Sequence, residues 1–161
     1  MVVANEDCDY EDMTIGHYKI IQELGDGNYG TAYLAQDLNN NGEKVCVKVF
    51  KTEDETISGY KKEVEVGILG IKHSNVCSLI ECGKGPFMDD GEQISDDKLF
   101  IVSEACPNGE AFDYVSAADG LDPKYARRVF GQLLDGMEFI HSKGIAHRDM
   151  KLENVFLARD V

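Results

Sequence analysis

The chain has 161 residues, 43% of them hydrophobic, with 16 Lys and Arg against 30 Asp and Glu, a formal net charge of −14. That length suits one ordinary domain or two small lobes, and the acidic balance argues against nucleic acid or an anionic membrane as partner while favouring basic ones. Five cysteines, Cys8, Cys46, Cys77, Cys82 and Cys106, form no CxxC pair and no His cluster at metal spacing, so neither a disulfide framework nor a zinc site is expected.

The opening "MVVANEDCDYED" is acidic where a targeting peptide is basic, lacks a Gly for myristoylation, and no apolar run approaches membrane length. The expectation is a soluble protein of the cytoplasm or nucleus, with no indication of oligomeric state. Residues 1–14 are rich in charge without apolar periodicity and read as a loose tail. From Tyr18, "YKIIQELGDGNYGTAYLAQDL" gives two alternating stretches around a glycine cluster. Asn41-Gly42 then offers a tight primed turn, and "KVCVKVF" returns as a third strand of an antiparallel meander.

Thr52 with Glu55 forms a capping-box signature ahead of "ETISGYKKEVEVGILGI", whose apolar residues recur at helical spacing despite Gly59, Gly67 and Gly70. "VCSLIEC" and "KLFIVSEA" read as two more strands, and the polar "GKGPFMDDGEQISDD" between them as an exposed, mobile loop. After Pro107 the pattern turns helical. Asp122-Pro123 starts a helix with an N-cap acid and a proline in the first turn; Val129, Leu133, Met137 and Ile140 share one face until Lys143-Gly144 stops it.

Gly25-Asp26-Gly27-Asn28-Tyr29-Gly30 is a GxGxxG. A dinucleotide-binding fold would start a helix inside the motif, whereas "TAYLAQD" continues as an alternating strand, so the glycines join two antiparallel strands. Without side chains, such a hairpin lets backbone N–H groups approach phosphate oxygens. Eighteen residues later Lys48 sits in "VCVKV", with Val45, Val47 and Val49 on one face and Cys46, Lys48 and Phe50 on the other.

The glycine hairpin, the strand lysine, a glutamate-bearing helix and "HRDMKLEN" at residues 147–154 follow in that order. On these motifs the sequence resembles the eukaryotic protein kinase family, from about Tyr18 to the last residue, and within it the Ser/Thr kinases of the calcium/calmodulin- and AMP-activated-kinase-like group. The resemblance implies an α+β fold: a five-stranded antiparallel N-lobe sheet with one helix over residues 15–104, and an incomplete helical C-lobe over 105–161.

It also implies roles for particular residues. Gly25, Gly27 and Gly30 cover the phosphates of ATP, and Lys48 holds the α and β phosphates. Ala32 and Cys46 stand where the family usually has Val and Ala above the adenine. Glu104 and Cys106 offer backbone groups to the adenine, and Ser103 stands where access to the back of the pocket is limited. Family members place the glutamate partner of the lysine nine residues before the histidine matching His73, which lands here on Val64. A shift of one residue gives Glu63 or Glu65. Glu65 is the expected partner because Val66, Ile68 and Leu69 follow it at +1, +3 and +4, whereas Glu63 has Gly67 at +4.

By the same resemblance Asp149 accepts the proton of a substrate hydroxyl, Asn154 holds Mg²⁺, and Arg148 pairs with the activation segment. Lys151 neutralises the transferring phosphate and points to Ser or Thr as acceptor. Glu110 and Glu153 match acids that receive arginines of basic peptide substrates in several family members; both also fit ordinary surface carboxylates or ribose contacts.

The family's domain continues with a DFG segment, an activation loop, an APE motif and further helices, none of which stands in this sequence. Absence of the DFG metal ligand should cost on the order of 3–4 kcal/mol, roughly 10³-fold in rate, so this chain alone is expected to be inactive. The alternative is a truncated kinase-like protein that binds nucleotide or a partner without catalysis. The apolar stripe of Phe130, Leu133, Met137 and Ile140 is expected to lack cover and to favour aggregation.

Overall fold

A computed structural model describes residues 10–51, 54–118 and 120–158. They divide into two units, one running to Ile68 and resuming over Leu79–Glu104, the other taking Leu69–Ser78 and everything described from Ala105 onward.

The first unit is an antiparallel sheet of β1 (Thr14–Ile15), β2 (Tyr18–Asp26), β3 (Gly30–Asp37), β4 (Glu43–Phe50), β5 (Leu79–Gly85), β6 (Phe87–Asp89), β7 (Glu92–Gln93) and β8 (Lys98–Glu104). Their order is β5-β8-β4-β3-β2-β1-β6-β7. The five long strands are those the alternation predicts. Between β3 and β4, Asn41 and Gly42 take φ of 52° and 73°, and Glu43 N–H donates to the Asn40 carbonyl at 3.0 Å. Both signs are those of a primed turn, which only residues tolerant of positive φ supply cheaply.

The period-two pattern decides what the sheet buries. Val45, Val47 and Val49 turn into one core with Ile20, Ala35, Phe100 and Val102, leaving the alternate residues of β4 on the opposite face. Two expectations fail at this core. Residues 10–14 are not a loose tail: Tyr10 stacks on Phe87 at 3.9 Å, Met13 packs against the same cluster, and β1 pairs with both β2 and β6. Nor is the connection after β5 simply an exposed loop, since it contains β6 and β7 and buries Phe87 to 1% exposure. Charge density hid both, because one aromatic per segment suffices to anchor it once a hydrophobic partner is present.

Helix α1 (Asp54–Ile68) follows β4; the capping-box residue Thr52 lies outside the described residues. Thr56 is buried, and Tyr60 sets its ring edge-on to Phe50 at 5.2 Å.

The second unit contains α2 (Ala111–Ala117), α3 (Pro123–Ser142) and a single 3₁₀ turn over Leu152–Asn154. Asp122 caps α3 by accepting from Lys124 N–H at 2.8 Å. At the other end Gly144, with φ of 75°, ends the helix while Ile145 N–H returns to the Ile140 carbonyl. Leu69–Ser78 belongs here because His73 stacks on Phe139 at 4.7 Å and the Asn75 backbone closes on Gly136, where a Cβ would stand 2.8 Å from the carbonyl oxygen. Of the apolar stripe, Ile140 is buried, while Phe130 and its neighbour Leu134 are 61% and 54% exposed.

Candidate active site

The glycine hairpin joins β2 to β3, and its glycines serve different ends. A Cβ on Gly30 would lie 2.2 Å from the Val49 carbonyl oxygen, so the approach of β4 forbids a side chain there. At Gly25 a Cβ meets nothing within 4 Å, and at Gly27 only the Gly30 oxygen at 3.6 Å. The chain's own packing therefore explains one glycine and leaves open space at the other two, as a hairpin that receives an external group requires. Between them Asp26 is clasped: Thr31 Oγ1 donates to Oδ1 at 2.7 Å, and Lys51 Nζ reaches Oδ2 and the Gly27 carbonyl, each at 3.0 Å. The Thr31 hydroxyl, then the Lys51 ammonium, holds the Asp26 carboxyl below the usual carboxylate range.

Register gathers the residues expected around an adenine. Ala32 pairs with Lys48 and Lys48 with Ile101; Leu34 pairs with Cys46 and Cys46 with Ser103. Paired residues point to one side of a sheet, so Ala32, Cys46, Lys48 and Ser103 share the face opposite the Val45-Val47-Val49 core. Glu104 is the last residue of β8, paired with Val45. In the second unit, the Cys106 carbonyl accepts from Gly109 N–H at 3.3 Å.

Lys48 is held by Glu63, not by Glu65. Its Nζ lies 2.5 Å from Glu63 Oε1 and 4.8 Å from the centre of the Phe50 ring. Glu63 falls on the stripe of α1 that includes Thr56 and Tyr60, the side packed on the sheet. Glu65 is exposed, on the outer side with Lys61 and Lys62. The expectation of Glu65 rested on an apolar residue at +4. Here that place after Glu63 is Gly67, where a Cβ would stand 2.6 Å from Leu79 Cδ1: β5 supplies the apolar group, and the helix residue makes room for it.

In the second unit "HRDMKLEN" forms a hydrogen-bonded loop. Asp149 N–H donates to His147 Nδ1 at 3.3 Å, and Arg148 takes a φ of 66°, a cost that non-glycine residues bear at functional turns. Asn154 Nδ2 donates to the Asp149 carbonyl at 2.7 Å and to its Oδ2 at 2.8 Å, with Lys151 Nζ 3.6 Å from the same oxygen. An amide and an ammonium thus orient one carboxylate that stays solvent-facing. With its NH₂ spent on Asp149, Asn154 has its amide oxygen left as a group able to bind a cation. Beyond the 3₁₀ turn, Ala111 N–H donates to Val155 O at 2.7 Å and Leu157 N–H to Gly109 O at 2.9 Å. These bonds anchor the loop to the segment that carries Glu110.

Residues 18–161 match the protein kinase domain family. The chain belongs to the protein kinase family. It is 34% identical over 154 residues to maternal embryonic leucine zipper kinase of Xenopus tropicalis, covering 94% of this chain and 22% of that protein. Similarity extends to CBL-interacting protein kinase 8 of Oryza sativa subsp. japonica, 33% identical over 89% of this chain and 30% of the relative. It also extends to serine/threonine-protein kinase ppk16 of Schizosaccharomyces pombe, 31% identical over 93% and 20%. The chain therefore spans between a fifth and a third of the length of these relatives. Among solved structures, Rad53 1-466 in complex with AMP-PNP superposes with a TM-score of 0.70 at 25% identity, covering 89% of this chain and 35% of that one.

Sequence reasoning missed two parts of this site. The pairing of Glu63 has no local signal, because the residue one turn on is a glycine whose place is filled by Leu79 from β5. The Thr31–Asp26–Lys51 clasp had no sequence signal, since Lys51 enters it only because β4 returns beside the hairpin.

Proposed function

We propose that this chain carries the nucleotide-binding sheet and the catalytic loop of a Ser/Thr protein kinase, with ATP and Mg²⁺ as its ligands. The observation that carries this reading is the Lys48–Glu63 pair on the same sheet face as Ala32, Cys46 and Ser103. A lysine so held presents a fixed positive charge to an anion, and the room at Gly25 and Gly27 suits a phosphate.

Within that reading Lys48 binds the α and β phosphates, Glu104 and Cys106 offer backbone groups to adenine, and the amide oxygen of Asn154 holds the cation. Bound MgATP supplies the phosphoryl group. Asp149, its Oδ2 fixed by Asn154 and Lys151, accepts the proton of a Ser or Thr hydroxyl, and Lys151 offsets negative charge at the transferring group. The small Ser103 leaves room behind the adenine. Glu110, Glu153 and the acidic net charge favour basic protein substrates.

The test is a melting shift with ATP, with and without Mg²⁺, on the wild-type chain and on Lys48→Ala. Stabilisation by ATP that Mg²⁺ enhances and Lys48→Ala removes is expected; no shift in the wild type would overturn the reading. Adenine analogues with a bulky exocyclic substituent should also bind. Their failure where ATP succeeds would refute the role given to Ser103.

A further inference from the structure

The second unit brings Cys77, from the segment ahead of β5, to Cys106, just beyond β8. Their sulfurs are 3.4 Å apart. Cys77 is exposed and Cys106 half-buried. Nothing in the cysteine spacing foretold this, since 29 positions separate them. A disulfide needs an S–S distance of about 2.05 Å, so roughly 1.4 Å of closure completes the bond. The pair lies outside every role assigned above to a side chain.

We propose that Cys77 and Cys106 are an oxidisable thiol pair that forms a reversible intramolecular disulfide on exposure to peroxide. The Cys77 thiolate, the more exposed, attacks hydrogen peroxide: an S–O bond forms, the O–O bond breaks, and the departing hydroxide takes up a proton. The Cys106 thiolate then attacks the Cys77 sulfur, forming the S–S bond and breaking S–O, with hydroxide leaving as water after protonation. Two thiols lose two protons and two electrons, and one peroxide becomes two waters. A dithiol reductant reverses the step.

The crosslink bears on the loop that carries Asp149. The Cys106 carbonyl holds the turn closed by Gly109, and Asn108 and Gly109 bond to Leu157 beyond the 3₁₀ turn. Tying Cys106 to Cys77 fixes that support to the segment that packs on α3 through His73. The thiol chemistry itself does not depend on the nucleotide-binding reading.

The experiment treats the folded full chain with hydrogen peroxide, blocks remaining thiols with N-ethylmaleimide, and maps non-reduced peptides by mass spectrometry. A Cys77–Cys106 crosslinked peptide that dithiothreitol removes is the expected result. It should be absent from Cys77→Ser and Cys106→Ser, while Cys82→Ser retains it. The oxidised wild type should melt higher by on the order of 5 °C. Disulfides confined to other cysteines, intermolecular dimers alone, over-oxidised thiols without the crosslink, or a lowered melting point would each overturn the proposal. Because the map on the wild type decides, poor folding of a variant does not shield it.

Discussion

Lys48 Nζ meets Glu63 Oε1 at 2.5 Å, joining the fourth strand to the middle of α1. Both side chains keep partial solvent contact, 30% and 40% exposed, so solvent screening limits what the pair gives to stability. Glu63→Ala should therefore cost only about 0.5–1 kcal/mol in a denaturant titration. It should weaken ATP binding several-fold by freeing the lysine. Glu65→Ala should leave both within error. Equal effects of the two substitutions would contradict the pairing.

The glycines of the hairpin should separate stability from binding. Gly30→Ala drives a Cβ onto the Val49 carbonyl and should destabilise by about 1–3 kcal/mol, as overpacking does. Gly25→Ala meets open space and should leave the melting temperature nearly unchanged while reducing nucleotide affinity. Thermal melting and calorimetric titration on the same two variants distinguish these outcomes.

Asn154→Ala removes the donor to Asp149 Oδ2 and the amide oxygen offered to a cation. The expected signature is loss of the Mg²⁺-dependent part of nucleotide binding, with binding of ATP in chelator little altered. A variant that kept the full Mg²⁺ enhancement would remove Asn154 from the metal site.

Alkaline pH should weaken the first unit. Burial pushes the Tyr33 hydroxyl up from 10.0 to about 12. Burial also raises Tyr18, which in addition donates to Glu81 Oε2 at 2.6 Å. In both, the fold favours the neutral phenol. Their contribution is therefore complete below pH 10, the value of an exposed tyrosine, and is lost as pH rises from 10 through 12. Tyrosinate absorbance followed beside circular dichroism should show these phenols ionising together with loss of strand signal. Ionisation of all seven tyrosines near pH 10 with the sheet intact would contradict it.

The strands, the primed turn and α3 were legible because each rests on a local rule: alternation, paired positive φ, a cap and a stop. Lys48, Cys46, Ala32 and Ser103 reach a shared face by the same alternation, carried across three strands by register. What escaped was set by partners distant in sequence. Glu63 needed knowledge that Leu79 fills the space over Gly67. Phe87 and Tyr10, each alone among charges, became core only through one another. No periodicity within a segment records such encounters.

The pairing of β1 with β6 has a bearing on where this domain starts. The family match begins at residue 18, yet Ile15 is fully buried and Tyr10 covers Phe87 from further upstream. A protein expressed from residue 18 would retain every residue assigned to nucleotide chemistry and lose the strand that joins β2 to β6, exposing an aromatic ring to water. The family match begins at Tyr18; the folding unit reaches back at least to Tyr10.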